Sequence, residues 1–83
     1  MKLLYFAWLK TKTGVAEEEV APPAEVATVQ DLLDWLRERG PGYAEALADL
    51  DAVRVAVNQD YARPGDPVAP GDEVALFPPV TGG

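Results

Sequence analysis

The alternation of apolar and polar positions predicts four main strands and one main helix. Lys2–Leu9 is apolar at both alternating sets of positions, which indicates a strand covered on both faces or one that offers its second face to a partner. A second strand is predicted at Glu17–Val20, and a third at Val53–Val57 from its period of two. Tyr61–Arg63 is predicted to pair briefly before the last strand, Glu73–Phe77.

The clearest helix is predicted to begin after Thr28. Thr28 can cap the helix, and Asp31 three residues later fits the capping-box pattern. Gly40 and Pro41 are predicted to stop it, and Tyr43–Leu50 is predicted to form a short second helix. Four residues at helical spacing form the apolar stripe of the main helix: Val29, Leu32, Leu33 and Leu36.

The resulting order of elements is strand, strand, helix, strand, strand. One amphipathic helix cannot bury its stripe alone, so we expect it to pack across a mixed sheet in an α+β domain. The predicted domain covers residues 1–77, and residues 78–83 form a C-terminal tail.

The amino-acid composition excludes several kinds of active site. Among the 83 residues there is no cysteine, which rules out disulfides, zinc–thiolate sites and iron–sulfur clusters. There is also no histidine, the usual general base near neutral pH and the commonest metal ligand. We therefore expect no metal site, no bound cofactor and no catalytic side chains in this chain.

The net charge of −7 disfavours nucleic-acid binding, because phosphates would be repelled. A basic partner protein is easier to accommodate. The longest apolar run, Leu3–Leu9, is far too short to span a bilayer, and no signal-peptide pattern follows Lys2. We therefore expect no membrane association and a cytoplasmic location.

The tail carries the candidate chemistry. Pro78 and Pro79 favour an extended backbone, and six extended residues reach up to about 20 Å. Gly82 and Gly83 lack a Cβ, so a narrow channel of another protein can admit them. We expect the carboxylate of Gly83 to be the working group, delivered by the rest of the tail: Pro78, Pro79, Val80, Thr81 and Gly82.

The segment from Gly71 to Gly83 (GDEVALFPPVTGG) resembles the C-terminus of the small subunit of molybdopterin synthase (MoaD). The similarity extends to Val57-Asn58-Gln59 and Tyr5-Phe6-Ala7, and length and element order agree throughout. The resemblance implies a ubiquitin-like β-grasp fold in which the first and last strands are adjacent and parallel.

The resemblance also implies a chemistry. An ATP-dependent adenylyltransferase of the ubiquitin-activating type (MoeB-like) would adenylate Gly83, and sulfur would then displace AMP to give a thiocarboxylate. The tail would enter the large subunit of molybdopterin synthase (MoaE-like). There its sulfur would be transferred to cyclic pyranopterin monophosphate, which builds the dithiolene of molybdopterin.

Docking to that large subunit would use the sheet face opposite the helix. In the family pattern Phe6, Tyr61 and Phe77 match positions on that face, and Leu4 or Trp8 would extend it. Three alternatives remain open from the residues. They are another sulfur carrier of the same fold (ThiS-like, thiamine pathway), a ubiquitin-like protein modifier, and an interaction module with an inert tail.

Overall fold

The computed structural model describes residues 1–79, which form one five-stranded mixed sheet covered on one side by helices. The order across the sheet is β2-β1-β5-β3-β4. The strands are β1 (Lys2–Tyr5), β2 (Glu17–Glu19), β3 (Arg54–Val57), β4 (Asp60–Ala62) and β5 (Glu73–Phe77).

The first and last strands lie side by side and parallel near the middle of the sheet, as expected. Leu3 of β1 pairs with Val74 of β5, and Tyr5 pairs with Leu76. The other three neighbouring pairs are antiparallel. The sheet therefore has the connectivity of the β-grasp fold, and the α+β prediction is confirmed.

The main helix, α2 (Val29–Arg37), forms as its sequence predicts. The Thr28 hydroxyl accepts the Asp31 backbone N–H at 3.1 Å, and the Asp31 carboxylate accepts the N–H of Thr28 at 3.2 Å. A further bond from the Ala27 N–H and the Thr28 contacts hold the pKa of Asp31 below its usual range. The four residues of the predicted apolar stripe are all buried: Val29, Leu32, Leu33 and Leu36.

The predicted strand Lys2–Leu9 is wrong beyond Tyr5, because a helix, α1 (Trp8–Thr13), follows instead. The last ladder contact is the Phe6 N–H to the Leu76 carbonyl at 3.1 Å. The chain then reverses in a turn closed by the Leu9 N–H on the Phe6 carbonyl, also at 3.1 Å. Leu9 reaches the core from α1 rather than from a strand.

Ala7 occupies the strained position of this turn, with φ 55° and ψ −132°. These angles are close to those of the first central residue of a type II′ turn, which strongly favours glycine. We expect Ala7→Gly to raise the free energy of unfolding by about 1 kcal/mol. Glycine relieves the backbone strain of the folded state, and this gain exceeds the cost of its greater entropy in the unfolded chain. Chemical denaturation measures this.

The matched control is Ala16→Gly, an exposed loop position with negative φ. There glycine only adds entropy to the unfolded chain, so the control should lose about 0.5 kcal/mol. Equal destabilisation by both substitutions would show that Ala7 is not strained.

The second predicted helix begins earlier and ends sooner than Tyr43–Leu50. Pro41 is the first residue of α3 (Pro41–Ala46) instead of only ending α2, because proline is tolerated in a first turn. A short 3₁₀ helix, Leu50–Ala52, follows. α3 packs closely on α1, since a Cβ added to Gly42 would collide with the carbonyl of Lys12.

The core lies between the sheet and the three helices. Leu3, Val74 and Leu76 rise from the central strands and are completely buried. A Leu buried in this way contributes roughly 1.5–3 kcal/mol to stability. Among the described residues no helix has the length and apolar character that a bilayer span requires.

Candidate tail and docking surface

The sheet face turned away from the helices, here called the outer face, is defined by the alternation along β5. Val74 and Leu76 are buried against the helices, whereas Ala75 and Phe77, which alternate with them, are half-exposed. The predicted opposition of Phe77 to Val74 and Leu76 is therefore confirmed. Phe77 lies on the outer face.

A row of small and apolar residues crosses the outer face. Leu4 pairs with Ala75, Ala75 with Ala56, and Ala56 with Tyr61. The two alanines keep the middle of the sheet shallow between larger side chains. Sequence analysis did not assign Ala56 to the outer face, although its alternation with Val55 and Val57 indicates that face.

The three predicted docking aromatics are all accessible on or beside this face. Phe6 is 49% exposed and Tyr61 is 77% exposed. Tyr61 packs on Phe77 with 5.8 Å between ring centroids, and Phe6 is held beside β5 by its bond to Leu76. Large apolar side chains left this open to water are typical of protein-binding surfaces.

Leu4 and Trp8, the two residues predicted to extend the docking surface, lie in different parts of the structure. Leu4 lies on the outer face in register with Ala75. Trp8 does not lie on a strand, because it is the first residue of α1, where it is 37% exposed. The predicted extension of the docking surface through Trp8 is therefore wrong, because the strand that would have carried it ends at Tyr5.

Charged residues of both signs surround the apolar part of the outer face. Lys2 pairs with Glu17 at 3.4 Å and lies in register with Glu73. Arg54 lies in register with Phe77 and donates to the Asp51 carbonyl at 3.0 Å. An apolar centre within a charged rim has the general anatomy of a protein–protein interface.

The base of the tail adjoins this surface. β5 ends at Phe77, and Pro78 and Pro79 follow as half-buried residues outside the sheet. Because β5 is the middle strand, the chain leaves the sheet close to Phe6 and Phe77. The remaining tail residues, Val80, Thr81, Gly82 and Gly83, lie outside the described residues, so their roles stay predictions.

A polar network on the helix side was missed by sequence reasoning. The Glu18 carboxylate accepts hydrogen bonds from the hydroxyls of Tyr5 and Tyr43, both at 2.8 Å, and from Arg39 at 3.0 Å. The Arg39 guanidinium also lies over the rings of Trp35 and Tyr43, 5.3 and 5.0 Å from their centroids. The network fastens the edge strand β2 to the helices.

Burial by itself would raise the pKa of Glu18. The hydrogen bonds from Tyr43, Tyr5 and Arg39 outweigh it and hold the pKa below its usual range. Burial and the bond to Glu18 raise the pKa of Tyr5. No buried side-chain nitrogen or oxygen of the described residues lacks a hydrogen-bond partner, and the network stabilises the fold.

The part of the chain between residues 1 and 79 contains no group of three or more acidic, cysteine or histidine residues that could hold a metal ion.

The chain is similar along its length to known proteins. A family model described as the ThiS family matches residues 3–83. The molybdopterin synthase sulfur carrier subunit of Escherichia coli (strain K12) is 40% identical, over 100% of this chain and 99% of its own length.

Two solved structures are similar along almost the whole chain. One is described as a candidate molybdopterin converting factor, subunit 1, from Pyrococcus furiosus; it is 35% identical with a TM-score of 0.77, and 95% of each chain is covered. The other is SAMP1, small archaeal modifier protein 1, of Haloferax volcanii, at 36% identity and a TM-score of 0.74. That match covers 100% of this chain and 98% of the archaeal one. The chain therefore belongs to the ThiS family, among the molybdopterin synthase sulfur carrier subunits.

Proposed function

We propose that this chain is the sulfur-donating small subunit of a molybdopterin synthase and that the carboxylate of Gly83 carries the sulfur. The observation that supports this best is the placement of the tail base. The chain leaves the middle of the sheet at Phe77, directly beside the exposed aromatics of the outer face. A partner docked on that face would receive the tail in its own cleft. The family match extending to residue 83 supports the same proposal.

The proposed chemistry needs an activating enzyme, because a carboxylate is a poor electrophile. An adenylyltransferase of the ubiquitin-activating type would join the Gly83 carboxylate to AMP and release pyrophosphate from ATP. A sulfide equivalent would then attack the acyl carbon and AMP would leave, which gives a thiocarboxylate. This chain would bind neither ATP nor another cofactor, and the reaction would take place in the cytoplasm.

The second half of the proposal concerns delivery. The outer face would bind the large subunit of the synthase while the tail, from Pro78 to Gly83, enters its active site. There the thiocarboxylate sulfur would be transferred to cyclic pyranopterin monophosphate. A dithiolene contains two sulfur atoms, and a thiocarboxylated carrier delivers one sulfur atom. Each molybdopterin therefore requires two such deliveries.

A second candidate function is favoured by one comparison. The likeness to small archaeal modifier protein 1 supports a protein modifier, in which activated Gly83 would form an isopeptide bond with a lysine of another protein. Both functions need the same activation, and they differ in the nucleophile that takes the acyl group. Conjugates of higher mass in extracts of the source cells would support the modifier.

Intact-mass spectrometry tests the proposal. The chain is incubated with the activating enzyme of its source organism, ATP and sulfide. We expect its mass to rise by the difference between sulfur and oxygen, with the change located on the C-terminal peptide. Omitting ATP is the control and should leave the mass unchanged. An unmodified C-terminal peptide in the complete reaction would contradict the proposal.

A further inference from the structure

An apolar groove lies at the end of the sheet opposite the base of the tail. β1 and β5 are parallel and start together at Lys2 and Glu73, and the groove lies before these starts. Its volume is about 350 Å³, and every lining side chain is Met, Val, Ala or Pro. Its lining includes Met1, Val20, Val26, Val68 and Pro70. This size and apolar character are typical of binding sites.

The groove is already formed in the isolated chain. Val20 and Val68 in its lining are only 9% and 7% exposed. The Val68 N–H bonds to the Ala27 carbonyl at 3.0 Å, which joins the two lining loops, and Met1 and Val20 bond to each other through their backbones. Three prolines in the lining further restrict the backbone: Pro22, Pro23 and Pro70. Binding here would cost little reorganisation.

The immediate rim of the groove is acidic. Glu19 is 78% exposed but forms an ion pair with the ammonium of Met1 at 3.6 Å, so the net negative charge of the rim comes from two further acids. Glu25 is exposed between two lining residues, and Asp72 accepts the N–H of the lining residue Ala69 at 2.8 Å. The nearby Lys2 is paired with Glu17. An apolar centre with an acidic rim attracts a ligand that is apolar and flanked by positive charge.

The charge distribution also argues against a second copy of this chain as the occupant. Each copy carries a net charge of −7, so two copies repel each other. We propose that the groove binds a short segment of a partner protein in which aliphatic side chains are flanked by Lys or Arg. Because the groove and the base of the tail lie at opposite ends of the parallel strands, this partner can hold the chain without covering the outer face. This inference stands whichever reaction the tail performs.

A peptide titration followed by ¹⁵N–¹H NMR tests the inference. The probe is acetyl-Lys-Leu-Val-Leu-Lys-amide, and the charge-reversed control is acetyl-Glu-Leu-Val-Leu-Glu-amide. We expect the basic peptide to cause saturable shifts confined to residues 20–27 and 67–72, with a Kd below about 1 mM that weakens as salt is added. The acidic peptide should cause no saturable shift. Unsaturable shifts, equal binding of both peptides, or shifts centred on Phe6 and Tyr61 would overturn the proposal.

A pair of charge-reversal variants distinguishes binding of the peptide in the groove from attraction by the overall net charge. Glu25→Lys changes the rim, and Glu38→Lys makes the same charge change at an exposed position just after α2. We expect Glu25→Lys to weaken the basic peptide at least about threefold more than Glu38→Lys does, because screening limits interactions to about 8–10 Å. Equal losses would show that only the overall charge attracts the peptide, and the proposal would fail.

Discussion

Deleting Gly82 and Gly83 is expected to abolish thiocarboxylate formation and sulfur transfer completely. The proposed reactive carboxylate is then replaced by that of Thr81, whose branched side chain would be excluded from a channel narrow enough to require glycine. The fold should be unaffected, because the last strand ends at Phe77 and the buried core residues identified within residues 1–79 all precede the deletion. Mass spectrometry of the activation reaction measures the loss. The free energy of unfolding should stay within about 0.5 kcal/mol of the parent value.

The matched control for this deletion is Gly65→Ala. Gly65 lies in an exposed turn, and a Cβ added there would meet no atom within 4 Å. This variant should be charged with sulfur as efficiently as the parent chain. A tail-deleted protein that still formed a thiocarboxylate, or still delivered sulfur, would defeat the carrier mechanism.

Substitutions on the outer face are expected to weaken binding to the large synthase subunit by roughly 10- to 100-fold, the range of aromatic residues that anchor interfaces. Phe6→Asp would place a charge in the contact, and Phe77→Ala would remove the ring that packs on Tyr61. Phe6 is about half exposed, so its replacement should leave folding intact even if Phe77→Ala costs stability. Isothermal titration calorimetry with the large subunit measures both affinities.

Ala44→Asp is the matched control for Phe6→Asp. Ala44 is exposed on α3, on the helix side of the sheet, and its substitution adds the same charge. Its affinity for the large subunit should equal that of the parent chain. Unchanged affinity of Phe6→Asp and Phe77→Ala, or an equal loss in Ala44→Asp, would move the docking surface elsewhere.

Local sequence signals were sufficient for α2 and β5. The capping box of Thr28 and Asp31 involves residues three apart, so its geometry is specified before any tertiary contact forms. In β5 the alternation of Val74 and Leu76 with Ala75 and Phe77 assigned each side chain to a face. The outward position of Phe77 followed directly from that period of two.

The end of β1 could not be predicted from its own residues. Leu3 to Leu9 is uniformly apolar, so neither a period of two nor a helical period stands out. The strand stops where its neighbour β5 reaches Phe77 and proline follows. The chain then reverses through the positive-φ, type II′ conformation of Ala7. An alanine gives no local sign of that conformation.

The sequence by itself therefore determined the α+β class, the main helix, the faces of the final strand and the Gly-Gly candidate for the chemistry. Tertiary structure alone decided the turn at Ala7, the hydrogen-bond network around Glu18 and the apolar groove beside Met1. The physical reason is distance along the chain. Caps and alternation join residues a few positions apart, whereas Glu18 meets Tyr43, and Val20 meets Met1, only after the sheet and helices have packed.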